Sequence, residues 1–395
     1  MDSHFQAPAI QNIPNEVSVP DRQRLARTTT PTERIALCED MILCYPGRPS
    51  IYFEVQLATT LGQLGAKPLA LAHFRKAQTL LAQDGGSDDS LDILVEILSR
   101  EVAAESAKHL ANSMKTGPFS QKWIPTKAHR FPTTQPYLPA GHEELKKRWS
   151  TLSAQTSLSQ AYLRKLAVDT NHFEDVFRLT EESVKDVVKR GIADSVLEPT
   201  AESKLHDADK IRQILSDTIS AYGILDELLR EPEKLNRSSI CEAHARLMHT
   251  CRFLEPGRYI PPGETRSTTR TTVDILGYNS AQCCPFTEVD KEVDYICNMS
   301  KQWIRSWRNP FATASWIHLV LTRCNPFDDG NGRIARIIAS IPLVKTGYPP
   351  ISITMSHRTS YYAAIPQAYD GDHSPFIQCL VDGMRDTISY VQGVA

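Results

Sequence analysis

The sequence predicts an all-α protein interrupted by one small β-hairpin, and three observations predict it. Eight stretches, 142–167, 180–191, 203–230, 237–250, 287–307, 310–323, 331–346 and 373–392, repeat their apolar residues at the helical period. A further pair of amphipathic segments lies within "SIYFEVQLATTLGQLGAKPLALAHFRKAQTLLAQD", residues 50–84, broken at Gly65-Ala66-Lys67. The exception is "RSTTRTTVDILGY", residues 266–278, whose Thr- and Val-rich pattern beside a glycine suggests a short extended hairpin.

Along the chain, residues 1–30 are polar, with Pro8, Pro14 and Pro20, and read as a disordered tail. A helical domain follows over 31–115, with flanking helices at about 32–46 and 88–113. Leu57, Ala58, Leu61, Ala70, Phe74 and Ala77 fall at spacings that resemble a tetratricopeptide repeat, in which small residues let two helices approach closely. The proline that closes that pattern is absent, because position 82 is Ala. Such a module implies docking or a homodimer, and the plainer alternative is a helical cap on the main domain. Residues 116–145 carry five prolines and little periodicity, so they read as a linker. The second helical domain occupies 146–395.

Bulk properties exclude some partners. A net charge of -2 provides no basic footprint, so no nucleic-acid partner is expected. No window approaches eighteen consecutive apolar residues and the N-terminal stretch lacks the apolar run of a signal peptide, so the expectation is a cytoplasmic protein with no membrane partner. Nine cysteines, an odd number with no paired CxxC motifs, read as reduced thiols, the adjacent Cys283 and Cys284 included.

The chemistry concentrates in "RCNPFDDGNGRIAR", residues 323–336. Helical sequence precedes it and follows it. A glycine-bearing turn that feeds a helix N-terminus exposes backbone N–H groups and the positive end of the dipole, which makes an anion site. Arg333 and Arg336 lie three apart and project from one side of that helix, where guanidinium forks suit phosphate oxygens. Asp329 next to a phosphate site implies a metal between them, and Mg²⁺ held by one carboxylate plus phosphate oxygens fits. The residues by themselves also allow a tight helix–helix turn with arginines on a solvated face.

The stretch resembles the signature of the Fic (Fido) family, H-P-F-x-[DE]-G-N-G-R-x-x-R, with eleven of twelve positions compatible. "RTTVDILGY" resembles the family's flap, a hairpin that clamps the target segment, and "GYPPISI" with "RTSYYAAIPQAYDGDHSPFIQCLVDGM" resembles its closing helices. The repeat-like helices ahead of it resemble the animal-type branch, and no counterpart of that branch's membrane anchor is expected. The resemblance covers about 160–390 and implies the Fic fold. It further implies protein AMPylation, the transfer of AMP from Mg-ATP to a Ser, Thr or Tyr hydroxyl of a protein target. Carried over by position, Phe327 packs the motif loop and Asp329 holds Mg²⁺. Gly330, Asn331 and Gly332 cradle the nucleotide phosphates, while Arg333 takes the β- and γ-phosphates and Arg336 the γ-phosphate. Thr272, Val273, Asp274, Ile275 and Leu276 form the flap strand. The family's inhibitory helix carries [ST]-x-x-x-E-[GN]. "TNHFED" supplies Thr170 and Glu174 within a helix near 165–180, with Asp175 in place of Gly or Asn. A carboxylate on the second arginine denies that arginine to an anion.

Asn325 stands where the family has its general-base His. An amide orients a hydroxyl by hydrogen bonding and cannot accept its proton, so transfer is impaired while phosphate binding survives. His318, seven residues upstream, sits about 10 Å away along the helix and reads as a core or surface residue. Asp328 is the nearer stand-in base, and Cys324 reads as a buried thiol. Three functions stay open: an impaired adenylyltransferase, a nucleotide-binding pseudoenzyme or scaffold, and a repurposed pocket acting on a small-molecule substrate.

Overall fold

The structure, a computed structural model, describes residues 10, 12–115, 119, 121–128, 138–253, 258–275 and 280–394, with side chains omitted at 112–115, 274 and 275. Two units emerge. One comprises 1–117, 255–259 and 268–272, the other 118–254, 260–267 and 273–395.

The first unit is a run of helices: α1 (Val19–Arg27), α2 (Pro31–Cys44), α3 (Arg48–Gln63), α4 (Lys67–Gln83) and α5 (Asp89–Lys115). The polar stretch 1–30, expected to be loose, contains α1. Ser18 caps that helix by accepting from the Asp21 N–H, and Pro20 sits in its first turn, where no intrahelical N–H is needed. A capping box between Thr30 and Glu33 starts α2. The expected break falls between α3 and α4, with Gly65 at φ 79° making the left-handed turn. Ala58, Leu61, Ala70, Phe74 and Ala77 are all buried, as a closely packed helical pair requires.

The second unit contains α6 (His142–Ser153), α7 (Thr156–Phe173), α8 (Glu181–Arg190), α9 (Ala208–Tyr222), α10 (Ile224–Arg230) and α11 (Arg237–Met248). The short helix α12 (Arg266–Thr269) is followed by β1 (Asp274–Ile275) and β2 (Ala281–Gln282). The chain closes with α13 (Val289–Ser306), α14 (Pro310–Cys324), α15 (Asn331–Lys345), α16 (Arg358–Tyr369) and α17 (Ser374–Val394). Two expected long helices are divided. The 142–167 stretch breaks at Ala154-Gln155, within a Ser- and Thr-rich segment whose side chains compete with helical hydrogen bonds. The 203–230 stretch starts late, at the Asp207 cap, and breaks at Gly223.

The hairpin is real but displaced. Residues 266–269 are helical, and β1 pairs antiparallel with β2 in the register Asp274↔Gln282 and Ile275↔Ala281. The region expected as a linker also has structure. Gln121 donates its N–H to Ser280 O at 3.2 Å and accepts from Gln282 N–H at 3.0 Å, which extends the far side of β2. At its other end, α6 begins at His142.

Helices α14 and α15 form the centre. Every residue of α14 except Thr322 is buried, and α15 is buried from Arg333 to Leu343. A helix apolar on all sides must be surrounded by others. The loop between this pair is thereby held against the core at both ends. Among the described residues, no helix is long and apolar enough to cross a membrane.

Candidate functional site

The motif loop begins where α14 stops. Asn325 adopts φ 48° and ψ 62°, a left-handed C-cap, and donates its N–H to Leu321 O at 2.8 Å. Asparagine is one of the few non-glycine residues that tolerates this conformation. Its identity at this position therefore has a backbone reason independent of catalysis. Gly330, at φ 74°, is the N-cap of α15, and a Cβ there would lie 3.0 Å from Met248 Sδ. Only glycine fits that turn without displacing the wall behind it.

Between these two points the loop is pinned by three side chains. Asn331 Oδ1 accepts from the Phe327 N–H at 2.9 Å and its Nδ2 donates to Phe327 O at 2.8 Å, so the amide closes the loop on itself. Both ends of the amide are thus occupied by backbone, while Asn331 also lines the cavity over the loop. Phe327 is fully buried and stacks on His244, with centroids 3.7 Å apart and planes 2° from parallel. Arg266, also fully buried, donates to Asn325 O at 2.6 Å, Cys324 O at 2.9 Å and Cys284 O at 2.6 Å. A guanidinium on the last carbonyls of α14 complements that end of the helix dipole.

The two arginines diverge. Arg336 donates its Nε–H to Thr170 Oγ1 at 3.0 Å and an Nη2–H to Glu174 Oε1 at 2.5 Å. Its other terminal nitrogen, Nη1, is buried with no hydrogen-bond partner among the described residues. Glu174 is the C-cap of α7, and its carboxylate lies over Gly332 so closely that a Cβ there would collide with it. Thr170 and Glu174 thus converge on Arg336 at the start of α15. Asp175 adopts φ 57°, which explains why this position suits Gly or Asn. Its carboxylate is held by Arg178 at 2.9 Å and Lys204 at 2.9 Å.

Arg333 meets other partners. It is buried against Asn171 Oδ1 (3.2 Å), Met248 Sδ (3.4 Å) and Cys251 Sγ (3.6 Å), with Asp329 Oδ2 4.0 Å distant. The two guanidinium groups leave the same side of α15 and part to different partners.

A cavity of about 230 Å³ opens over the loop, lined by Glu174, Val273, Asn325, Asp328, Asp329, Gly330, Asn331 and Gly332. Val273 comes from the expected flap strand, and its carbonyl accepts from Cys283 N–H at 3.3 Å. Thr272 and Val273 precede the strand, Asp274 and Ile275 form it, and Leu276 lies outside the described residues. Asp328 lines the cavity with Asn325, whereas His318 does not. His318 is fully buried, its Nε2 is 3.1 Å from the Tyr361 hydroxyl, and burial pushes its pKa down to about 3. The Cys324 thiol is raised well above its ordinary range by its contact with Cys284 and by burial, which makes it inert.

For Mg²⁺, the residues fit on one condition. Asp329 has one carboxylate oxygen, Oδ1, receiving the Gly330 N–H at 2.6 Å, and its side chain is half exposed. Among the described residues no cluster of three His, Cys, Asp or Glu could hold a metal by itself. A single carboxylate suits Mg²⁺ when phosphate oxygens and waters complete the octahedron.

The Fic/DOC family profile matches residues 234–343, which span this loop and the helices that hold it. The chain carries a Fic/DOC domain. Its Fic/DOC loop departs from the signature only at Asn325. The Protein adenylyltransferase Fic of Aedes aegypti is 32% identical over 101 residues, covering 25% of this chain and 20% of that protein. The Nematostella vectensis protein of the same name is 30% identical over 165 residues, 41% and 35% of the two chains. The Culex quinquefasciatus one is 23% identical over 350 residues, 80% and 67% of the two. The chain thus spans between a fifth and two thirds of the length of these relatives. Among solved structures, Fic-1 from C. elegans aligns with a TM-score of 0.45 at 18% identity, covering 95% of this chain and 96% of that one. A Fic domain containing signaling protein from Bacteroides thetaiotaomicron aligns at 0.49 and 18% identity, covering 64% and 97%.

His244, Arg266 and Asn171 were missed in the sequence. They lie 85, 59 and 162 residues from the motif partners they touch, and no local spacing marks them.

Proposed function

We propose that this chain is a Fic-type adenylyltransferase whose site binds Mg-ATP, is held shut by Glu174, and transfers AMP poorly because Asn325 replaces the base. The observation that carries the reading is the Glu174 carboxylate on Arg336 above Gly332. A helix N-terminus built for an anion is filled by the chain's own anion. The buried, unpartnered Arg336 Nη1 supports a second anion contact at the same place.

With Glu174 withdrawn, Arg336 and the N–H groups at the start of α15 receive the terminal phosphates. Asp329 would hold Mg²⁺, which supplies charge neutralisation to the phosphates. Arg333 stands behind Asp329 and supports its charge rather than gripping phosphate itself. A target hydroxyl attacking the α-phosphorus from beside Asn325 displaces pyrophosphate and must lose a proton. The Asn325 amide orients that hydroxyl without taking the proton, a loss of about 10²–10⁴ in rate. Asp328 is the carboxylate on the cavity wall that can receive it instead.

The left-handed backbone at Asn325 favours one second reading, a nucleotide-binding pseudoenzyme, because asparagine has a structural reason to be there. Calorimetric titration of Mg-ATP into the parent and into Glu174→Ala tests the common core of both. Tighter binding by Glu174→Ala is the expected result. An absence of ATP binding in both proteins would sink the nucleotide site.

A further inference from the structure

His244 stands behind the motif loop and is fully buried. Gly263 N–H donates to its Nδ1 at 2.9 Å, so that nitrogen carries no proton. The proton is on Nε2, which donates to the carbonyl of Asp329 at 3.1 Å. The ring is sandwiched on Phe327, and Gly330 packs against its edge: a Cβ there would lie 3.4 Å from Nε2.

A peptide unit is planar, with its C=O and N–H pointing in opposite directions. Drawing the Asp329 carbonyl toward His244 therefore turns the Gly330 N–H away from it, where it is received by Asp329 Oδ1 at 2.6 Å. The orientation of one peptide thus sets where the Asp329 carboxylate sits. Among the described residues, the other side chain near the Asp329 carboxylate is the distant Arg333 at 4.0 Å.

We propose that His244 is a positioning residue for metal-assisted nucleotide binding, fixing the Asp329–Gly330 peptide so that the Asp329 carboxylate is presented to Mg²⁺. The proposal rests on the Mg-nucleotide reading above and deepens it. Residues that orient a metal-ligating group govern affinity nearly as strongly as the ligand does. His244 acts through hydrogen bonds and stacking and never touches the nucleotide.

The test uses the full chain in the Glu174→Ala background, with ATP titrated calorimetrically in Mg²⁺ and again in EDTA. The ratio of the two affinities isolates the metal's contribution. His244→Phe keeps the stack on Phe327 and removes both hydrogen bonds. Its expected effect is a fall of about 10–100-fold in that ratio, with metal-free affinity held within about twofold. His244→Gln, which keeps an N–H donor for the Asp329 carbonyl, is expected to recover most of the ratio. If His244→Phe does not fold, His244→Asn replaces it, since its short amide cannot reach that carbonyl and the same loss is expected. An unchanged ratio overturns the proposal. So does a parallel fall in both affinities, which marks a merely structural role. A parent that binds no ATP, or binds it equally in EDTA, removes the Mg-nucleotide reading itself, and the proposal goes with it.

Discussion

Glu174→Ala should destabilise the protein alone and make it far more responsive to Mg-ATP. The Arg336 side chain is 1% exposed and that of Glu174 27%. A hydrogen bond to a charged group is worth about 1.5–3 kcal/mol when buried, and Glu174's partial exposure places this pair at about 1–2 kcal/mol. For a domain of this size each kcal/mol shifts Tm by about 2–4 °C, so Glu174→Ala should melt about 2–8 °C lower. The vacated Arg336 is then available to phosphate. Mg-ATP at one hundred times its Kd returns about 2.7 kcal/mol, enough to restore the loss. In the parent, nucleotide must first displace Glu174, so the same ATP concentration should raise Tm by less than half as much. Differential scanning fluorimetry across an ATP series reads both effects. Equal melting temperatures and equal ATP responses in the two proteins would refute the reasoning.

Three further outcomes follow from the same geometry. Asn331→Asp places a carboxylate oxygen against Phe327 O, which received an N–H, and should cost about 1–3 kcal/mol in urea unfolding at pH 7. Gly332→Ala drives its new methyl into the Glu174 carboxylate, so it should lower Tm as Glu174→Ala does, while adding little in the double mutant. Acid should weaken the second unit before its carboxylates titrate. Burial holds His244 and His318 down at about 3 and His172 and His373 at about 4, all below the ordinary histidine value of about 6.5. These histidines are neutral when folded, and the unfolded chain binds more protons below pH 6.5. Stability is therefore full above that pH and falls as pH drops toward 3–4. The slope is about 1.4 kcal/mol per pH unit for each such histidine, read from urea midpoints at pH 7 and pH 5.

Parts of this site were legible in the sequence because they are local. The Thr170–Glu174 spacing places both side chains on one helical face, and Gly330–Gly332 opens α15 as its composition requires. Periodicity likewise located α13, α14, α15 and α17 within a few residues. What periodicity cannot tell is which neighbour a face meets. Arg333 and Arg336 share a side of α15, yet Arg333 turns to Asn171 and two sulfur atoms while Arg336 meets Glu174. The hydrogen bonds of His244 and Arg266 to the loop depend on tertiary folding alone. Capping decided the other differences. Ser18 and Pro20 start a helix in a stretch whose overall polarity suggested none.

The central claim is tested most directly by intact mass after incubation with Mg²⁺ and ATP. Four proteins are compared: the chain as it stands, Asn325→His, Glu174→Ala, and the double substitution. The account predicts the mass of an adenylyl group on the double substitution, with little or none on the others. Nucleotide binding by the Glu174→Ala protein, followed by no mass gain even with His at position 325, would contradict it and leave a site that holds nucleotide without transferring it.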